Sequence, residues 1–263
     1  MGTSGAYGGS GSSSWDAVHN TYTDAADASA SGPSPAQIEN FVNSFMAALA
    51  KPLGQAGGPS SFSLPSFRLT RSAGSGDGSS SSASSGGGGG RNLKRQAARG
   101  AAAVAGAHAL RTGNTAILTE LGLDVEHLKS LVPGREQCTY IVNSLLGAPS
   151  HPDEVALAAA TLRTMVEVQK AKLEMSPERT MEMFLQNLAY EQVLVELTSQ
   201  RRTESVTPQR AKQIEEKAKK YLRASVTALR LKDRAKISAQ GFVDYAANLA
   251  GKVFKVFRMR GRE

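Results

Sequence analysis

Met1-Gly2-Thr3-Ser4 opens the chain with a very small residue behind the initiator methionine, the situation in which Met removal leaves a glycine amine. An α-amino group titrates at about 7.7–8.0, well below lysine, so part of it is uncharged and nucleophilic at neutral pH. Gly2 is therefore the first candidate for chemistry. Behind it Gly5, Ala6, Gly8, Gly9, Gly11 and the serines 10 and 12–14 make a thread with few side chains to block entry into another protein's active site. The competing expectation is an ordinary loose leader, because chain termini are commonly unstructured. Ala6 stands where the myristoylation pattern needs Ser or Thr, so Gly2 is not read as a lipid site.

The remaining reactive residue types form no recognisable constellation. His19, His108, His127 and His151 have no spacing with carboxylates or Cys138 that matches a zinc or metalloprotease motif. Cys138 falls on an apolar stripe, where a small buried hydrophobe is the simpler reading than a nucleophile. Glu120, Asp124 and Glu126 can gather near a turn, but solvated loop acids explain them equally. Gly86 to Gly90 is not followed by the Lys-Ser or Lys-Thr of a phosphate-binding loop, and neither a nucleophile elbow nor a dinucleotide fingerprint is present. The expectation is a protein that is not an enzyme and that holds no cofactor or metal.

Arg91, Lys94, Arg95 and Arg99 share a face by three- and four-residue spacing. Such a face suits phosphate or an acidic protein, and it suits water just as well. No aromatic residues stand beside it for base stacking.

The elements that must position these residues are helices. The 263-residue chain is 40% hydrophobic but only 6% aromatic, and Gly/Ser-rich stretches occupy much of its first third. That composition predicts a mostly α fold, an irregular compact helical bundle preceded by a long Gly/Ser-rich disordered region carrying one docking helix. The expected divisions are a flexible tail over 1–33, an amphipathic docking helix over 34–52, a Gly/Ser/Pro-rich linker over 53–90 with a short extended piece at 62–69, and a helical domain over 91–263. In the docking helix Ile38, Phe41, Val42, Phe45, Met46 and Leu49 form one stripe, opened by Ser34-Pro35 and closed by Pro52. That stripe must lie on the C-terminal domain or in a partner's groove, and the sequence leaves both open.

Further along, helices are expected over 136–146 with Cys138, Ile141, Val142 and Leu145 inward, and from Asp153 with Val155, Ala159, Leu162, Val166 and Leu173 inward. Ser176-Pro177 and Thr207-Pro208 start two more, and a last one begins near Ser238 with Phe242, Ala246, Leu249, Val253 and Phe257 as its core face. Its cationic end, through Arg258, Arg260 and Arg262, suits the helix dipole, and phosphate as an alternative. One cysteine excludes an internal disulfide framework. With neither a secretion signal nor an eighteen-residue apolar run, the expected setting is cytoplasmic, with no membrane partner. The net charge of +8 is moderate for this length and names no partner by itself.

Three features resemble the B component of the Qat anti-phage defence systems. They are the opening Met1-Gly2-Thr3-Ser4 with Tyr7-Gly8-Gly9 behind it, the Gly/Ser tract ending in Gly86 to Gly90 before Arg91-Asn92-Leu93, and the Ala- and Gly-rich basic helix that follows. The likeness covers roughly the first 110 residues. It implies partners, namely an ATPase, a QueC-like enzyme and a TatD-like nuclease, with this chain as the subunit lacking catalytic motifs. It also implies a role for the tail. QueC enzymes activate a carboxylate with ATP and join it to nitrogen, so a QueC-like partner would use the Gly2 amine as acceptor, with Thr3 and Ser4 as recognition residues. Two other classes stay open: a nucleic-acid-binding adaptor using Arg91, Lys94, Arg95 and Arg99 with the terminal Arg258, Arg260 and Arg262 on phosphates, and a homo-oligomeric phage or secretion-system structural protein.

Overall fold

Proline and small hydroxyl residues mark the helix starts in the three-dimensional fold as they do in the sequence. The computed structural model describes residues 13–28, 31–50, 89–149, 152–203, 206–228 and 238–260. In chain order its helices are α1 (Ser13–Ala26), α2 (Pro35–Ala50), α3 (Gly89–Thr112), α4 (Thr115–Glu120), α5 (Val125–Ser130), α6 (Arg135–Leu146), α7 (Pro152–Lys170), α8 (Pro177–Thr203), α9 (Pro208–Ala228) and α10 (Ala239–Arg260). Among the described residues there is no strand. Ser34 and Gln37 form a reciprocal cap before α2, the Ser34 Oγ accepting from the Gln37 amide at 3.2 Å and the Gln37 side chain accepting from the Ser34 amide at 2.8 Å. Ser176, Thr207 and Ser238 accept from backbone amides in the first turns of α8, α9 and α10.

The fold is an irregular helical bundle built around α3. From Gly100 to Ala107 this helix is apolar and buried on every side, as a helix stretch without a polar face must be. It touches α2, α4, α6, α7, α8 and α10. Small residues permit that crowding. A Cβ at Gly100 would stand 2.3 Å from Phe184 Cζ and 2.9 Å from Leu157 Cδ1, so α8 and α7 approach the bare backbone there.

A second buried helix, α8, carries polar side chains inward. Asn187 Nδ2 donates to Thr164 Oγ1 at 3.0 Å, and Gln192 Nε2 donates to Gln96 Oε1 at 2.9 Å. Buried amides need partners, and these pairs join α8 to α7 and to α3.

Three sequence expectations change, and one that the sequence left open is answered. The stretch 1–33 contains α1, whose Val18, Tyr22 and Ala25 lie on one face and are fully buried against α2, with the Tyr22 and Phe41 rings 5.7 Å apart. The linker ends earlier than position 90, because α3 already includes Gly89 and Gly90. The inward face of α7 is Ala156, Leu157, Ala160, Thr161, Thr164, Met165 and Val168, while Val155 is 52% and Leu173 83% exposed. Two buried threonines satisfy their hydroxyls on the carbonyls of Leu157 and Ala160 within the helix, which lets polar residues occupy the core face. On α2 the stripe Ile38, Phe41, Val42, Phe45 and Met46 is buried in this chain's own core, against α1, α3, α9 and α10. It is thus a core face here and is not held out to a partner. The Leu49 side chain and the segment 62–69 lie outside the described residues.

Candidate functional site

Gly2, Thr3 and Ser4 lie outside the described residues, so the site is defined by what carries them. The carrier is the α1–α2 hairpin. Residues 1–12 join α1 at Ser13, and α1 is seated on α2 and on α9. Arg210 Nη2 donates to the Ala28 carbonyl at 2.8 Å, just beyond the C-terminus of α1, where a cation also meets the negative end of the helix dipole. Lys217 Nζ donates to the Pro33 carbonyl, and Tyr221 donates its hydroxyl to Glu39 Oε1 at 2.9 Å, with Asn43 Oδ1 at 3.2 Å. Gly32 turns the chain between the two helices at φ +93°.

The opposite edge of α9 holds a charged cluster on α7 and α8. Tyr190 donates its hydroxyl to Glu215, and Lys219 Nζ and Arg163 Cζ stand 4.4 and 5.4 Å from the centre of its ring. Arg163 Nη2 forms an ion pair with Glu191 Oε1 at 2.8 Å. Burial pushes the Glu191 carboxyl above its ordinary range, against the pull of Arg163 and Lys219. Burial, followed by the Glu215 carboxylate, pushes the Tyr190 hydroxyl up as well. These groups neutralise one another across three helices, which is the chemistry of a structural clamp.

The other sequence candidates divide. Arg99 turns into the fold, where Nη2 donates to the Leu146 carbonyl at the end of α6 at 2.9 Å and Nη1 lies 3.7 Å from Glu154. It therefore leaves the basic face that the spacing had given it. The side chains of Arg91, Lys94 and Arg95 lie outside the described residues, as do those of Arg258 and Arg260. Glu120 and Asp124 are helix caps. Glu120 accepts from the amides of Ala239 and Gln240 at 3.2 and 3.4 Å, and Asp124 accepts from His127 at 3.0 Å. Cys138 is fully buried, and burial raises its thiol to about 11, so it is an inert core group. His108 is buried with Nε2 3.2 Å from the Met175 carbonyl and its ring 5.4 Å from that of Phe242. A carbonyl only accepts, so Nε2 carries the proton.

Sequence reasoning missed Arg210, Lys217 and Arg163. Their roles depend on helices far away in the chain, and no spacing signals a cation that binds a distant backbone carbonyl. Among the described residues no three His, Cys, Asp or Glu side chains gather to hold a metal ion, and no helix is long and apolar enough to cross a membrane. No protein-family model, curated protein or solved structure matches the chain.

Proposed function

We propose that this chain is a non-catalytic scaffold subunit of an anti-phage defence complex, and that its N-terminal thread is the substrate of a QueC-like partner enzyme. The observation that carries the reading is the anchoring of the thread. Ser13 begins a helix that is packed on α2 and tied to α9, so the chain before it is attached to the body at one fixed place. From Ser13 back to Gly2 an extended chain reaches at most about 40 Å, at roughly 3.3–3.6 Å per residue. That length can cross into an active site on a docked partner while the helical body stays outside.

With Met1 removed, the unprotonated Gly2 amine attacks a carboxyl carbon that the partner has activated with ATP. A C–N amide bond forms, the activating group leaves with the bonding electrons, and the ammonium proton passes to solvent or to a base of the partner. Thr3 and Ser4 are the residues the partner reads. The ATPase and the TatD-like nuclease of the same system complete the assembly around the helical body.

Co-expression with the partner enzymes, followed by the mass of the N-terminal peptide, tests the reading. A partner-dependent mass increase on Gly2 is expected. A Gly2 substitution bulky enough to retain Met1 should abolish the increase and the defence together, and full defence by that variant would sink the proposal. A nucleic-acid adaptor would instead show phosphate binding that falls steeply with salt.

A further inference from the structure

The α1–α2 hairpin is connected to α3 only through residues 51–88 and meets the rest of the fold through noncovalent contacts with α9, α10 and α3. Its inward surface is apolar, with Val18, Tyr22, Phe41, Val42, Phe45 and Met46 fully buried. Opposite them α9 contributes Ile214, Ala218 and Leu222, and α10 contributes its own buried face. Along one edge of α9 stand Arg210, Lys217 and Tyr221, seven and four residues apart and thus on one side of the helix. Each reaches the hairpin, at Ala28, Pro33 and Glu39 respectively.

Charge follows the same division. Residues 1–50 contain no Lys or Arg and four acids, Asp16, Asp24, Asp27 and Glu39, a formal −4 against +12 for the remainder of the chain. The turn is fitted too. A Cβ on Gly32 would come 2.8 Å from Gln213 Oε1, and its φ of +93° is one that side-chain-bearing residues rarely adopt.

We propose that the Arg210–Lys217–Tyr221 edge, with the apolar surface of α9, α10 and α3 beside it, is a receptor site whose ligand is an acidic amphipathic helical hairpin with a glycine turn. The α1–α2 hairpin occupies it as an intramolecular ligand, and the covalent connection through 51–88 is not needed to keep it bound. Arg210 and Lys217 recognise backbone carbonyls at the end of α1 and in the turn, so they read the shape of the hairpin more than its side chains. Tyr221 adds the acidic side chain of α2. The site would then fix where the chain before Ser13 is attached, whatever that segment is used for.

The test places a specific protease site between residues 51 and 88 of the full-length chain and cuts it under native conditions. The two fragments are expected to elute together at the size of the intact chain. After the same cut, the Arg210→Ala, Lys217→Ala, Tyr221→Phe triple variant should release its N-terminal fragment at least ten times faster on dilution, read by exchange with fluorescently labelled N-terminal fragment. If the triple variant does not fold before cutting, Lys217→Ala alone is read in the same exchange, with a smaller acceleration expected. Separation of the wild-type fragments on first passage would overturn the receptor site, and an unchanged release rate in the variants would overturn its assignment to this edge. Neither result depends on Gly2 modification, so failure here is distinguishable from failure of the proposed function.

Discussion

Tyr221 of α9 donates its hydroxyl to Glu39 of α2 at 2.9 Å, joining side chains 182 residues apart across the junction between the N-terminal hairpin and the body. Both are partly buried, so the bond is neither lost to water nor fully desolvated. Tyr221→Phe removes only the oxygen and should cost about 1 kcal/mol, the ordinary net value of one such bond. The check is the urea midpoint at unchanged m-value, which should fall. A midpoint equal to wild type would show that the contact contributes nothing.

Two glycines of α3 should respond differently to the same added methyl group. At Gly100 the new Cβ would overlap Phe184 and Leu157, with nearest approaches of 2.3 and 2.9 Å, whereas at Gly106 the nearest atoms are Ile141 Cγ2 at 3.2 Å and Leu121 Cδ1 at 3.3 Å. Gly100→Ala should destabilise by about 1–3 kcal/mol or more through overpacking. For Gly106→Ala the gain in helix propensity, up to about 1 kcal/mol, offsets much of a milder crowding. Thermal unfolding of the two variants side by side decides the matter, and equal melting temperatures would contradict this packing.

Glu191 sets a pH dependence. Burial raises its carboxyl pKa more than Arg163 and Lys219 lower it, with Glu215 adding to the rise. Between the ordinary carboxylate value and the raised folded value, the folded protein holds a proton that the unfolded chain has lost. This group's contribution to stability therefore declines as pH rises through that interval. Glu191→Gln abolishes the titration and leaves Arg163 without its ionic partner at every pH. The stability of the variant relative to wild type should accordingly improve as pH rises across the window. A relative stability that is flat with pH would show that the carboxyl is not perturbed by its surroundings.

Glu120 accepts the first amides of α10 from the end of α4, alongside the local cap that Ser238 gives the Gly241 amide. Glu120→Ala should cost about 1 kcal/mol, the usual scale for losing an N-terminal cap. Hydrogen exchange at the amides of Ala239 and Gln240 should quicken more than exchange in α3. Unchanged protection at those two positions would mean that another group caps the helix.

Large apolar residues at helical spacing made α2, α6 and α10 legible in sequence, and Ser-Pro and Thr-Pro pairs marked the starts of α8 and α9. Other elements carried a weaker signal. In α1 the buried residues Val18, Tyr22 and Ala25 are separated by His, Asn, Thr and Asp beside a Gly/Ser-rich stretch, so the composition around them hid the helix. The face of α7 was read in part: Leu162 and Val166 pack against the core, but Val155 is exposed, Leu173 lies exposed beyond the end of the helix, and Thr161 and Thr164 are buried and satisfied by their own helix. The inward polar residues of α8 were unreadable for a related reason. Gln192 and Asn187 are acceptable in the core only because Gln96 and Thr164 meet them from other helices. Arg99, expected on a basic face of α3, goes instead to the end of α6, a destination that spacing within one helix does not encode.

The most direct measurement is the mass of the Gly2-containing N-terminal peptide, from protein expressed with and without the QueC-like enzyme proposed as its partner. The expected result is a defined mass increase on Gly2 that appears only with the partner and disappears when Gly2 is replaced by a bulky residue. An unmodified Gly2 in both samples would contradict the proposed role of residues 1–12 as a substrate, leaving a helical bundle whose first twelve residues serve some other purpose.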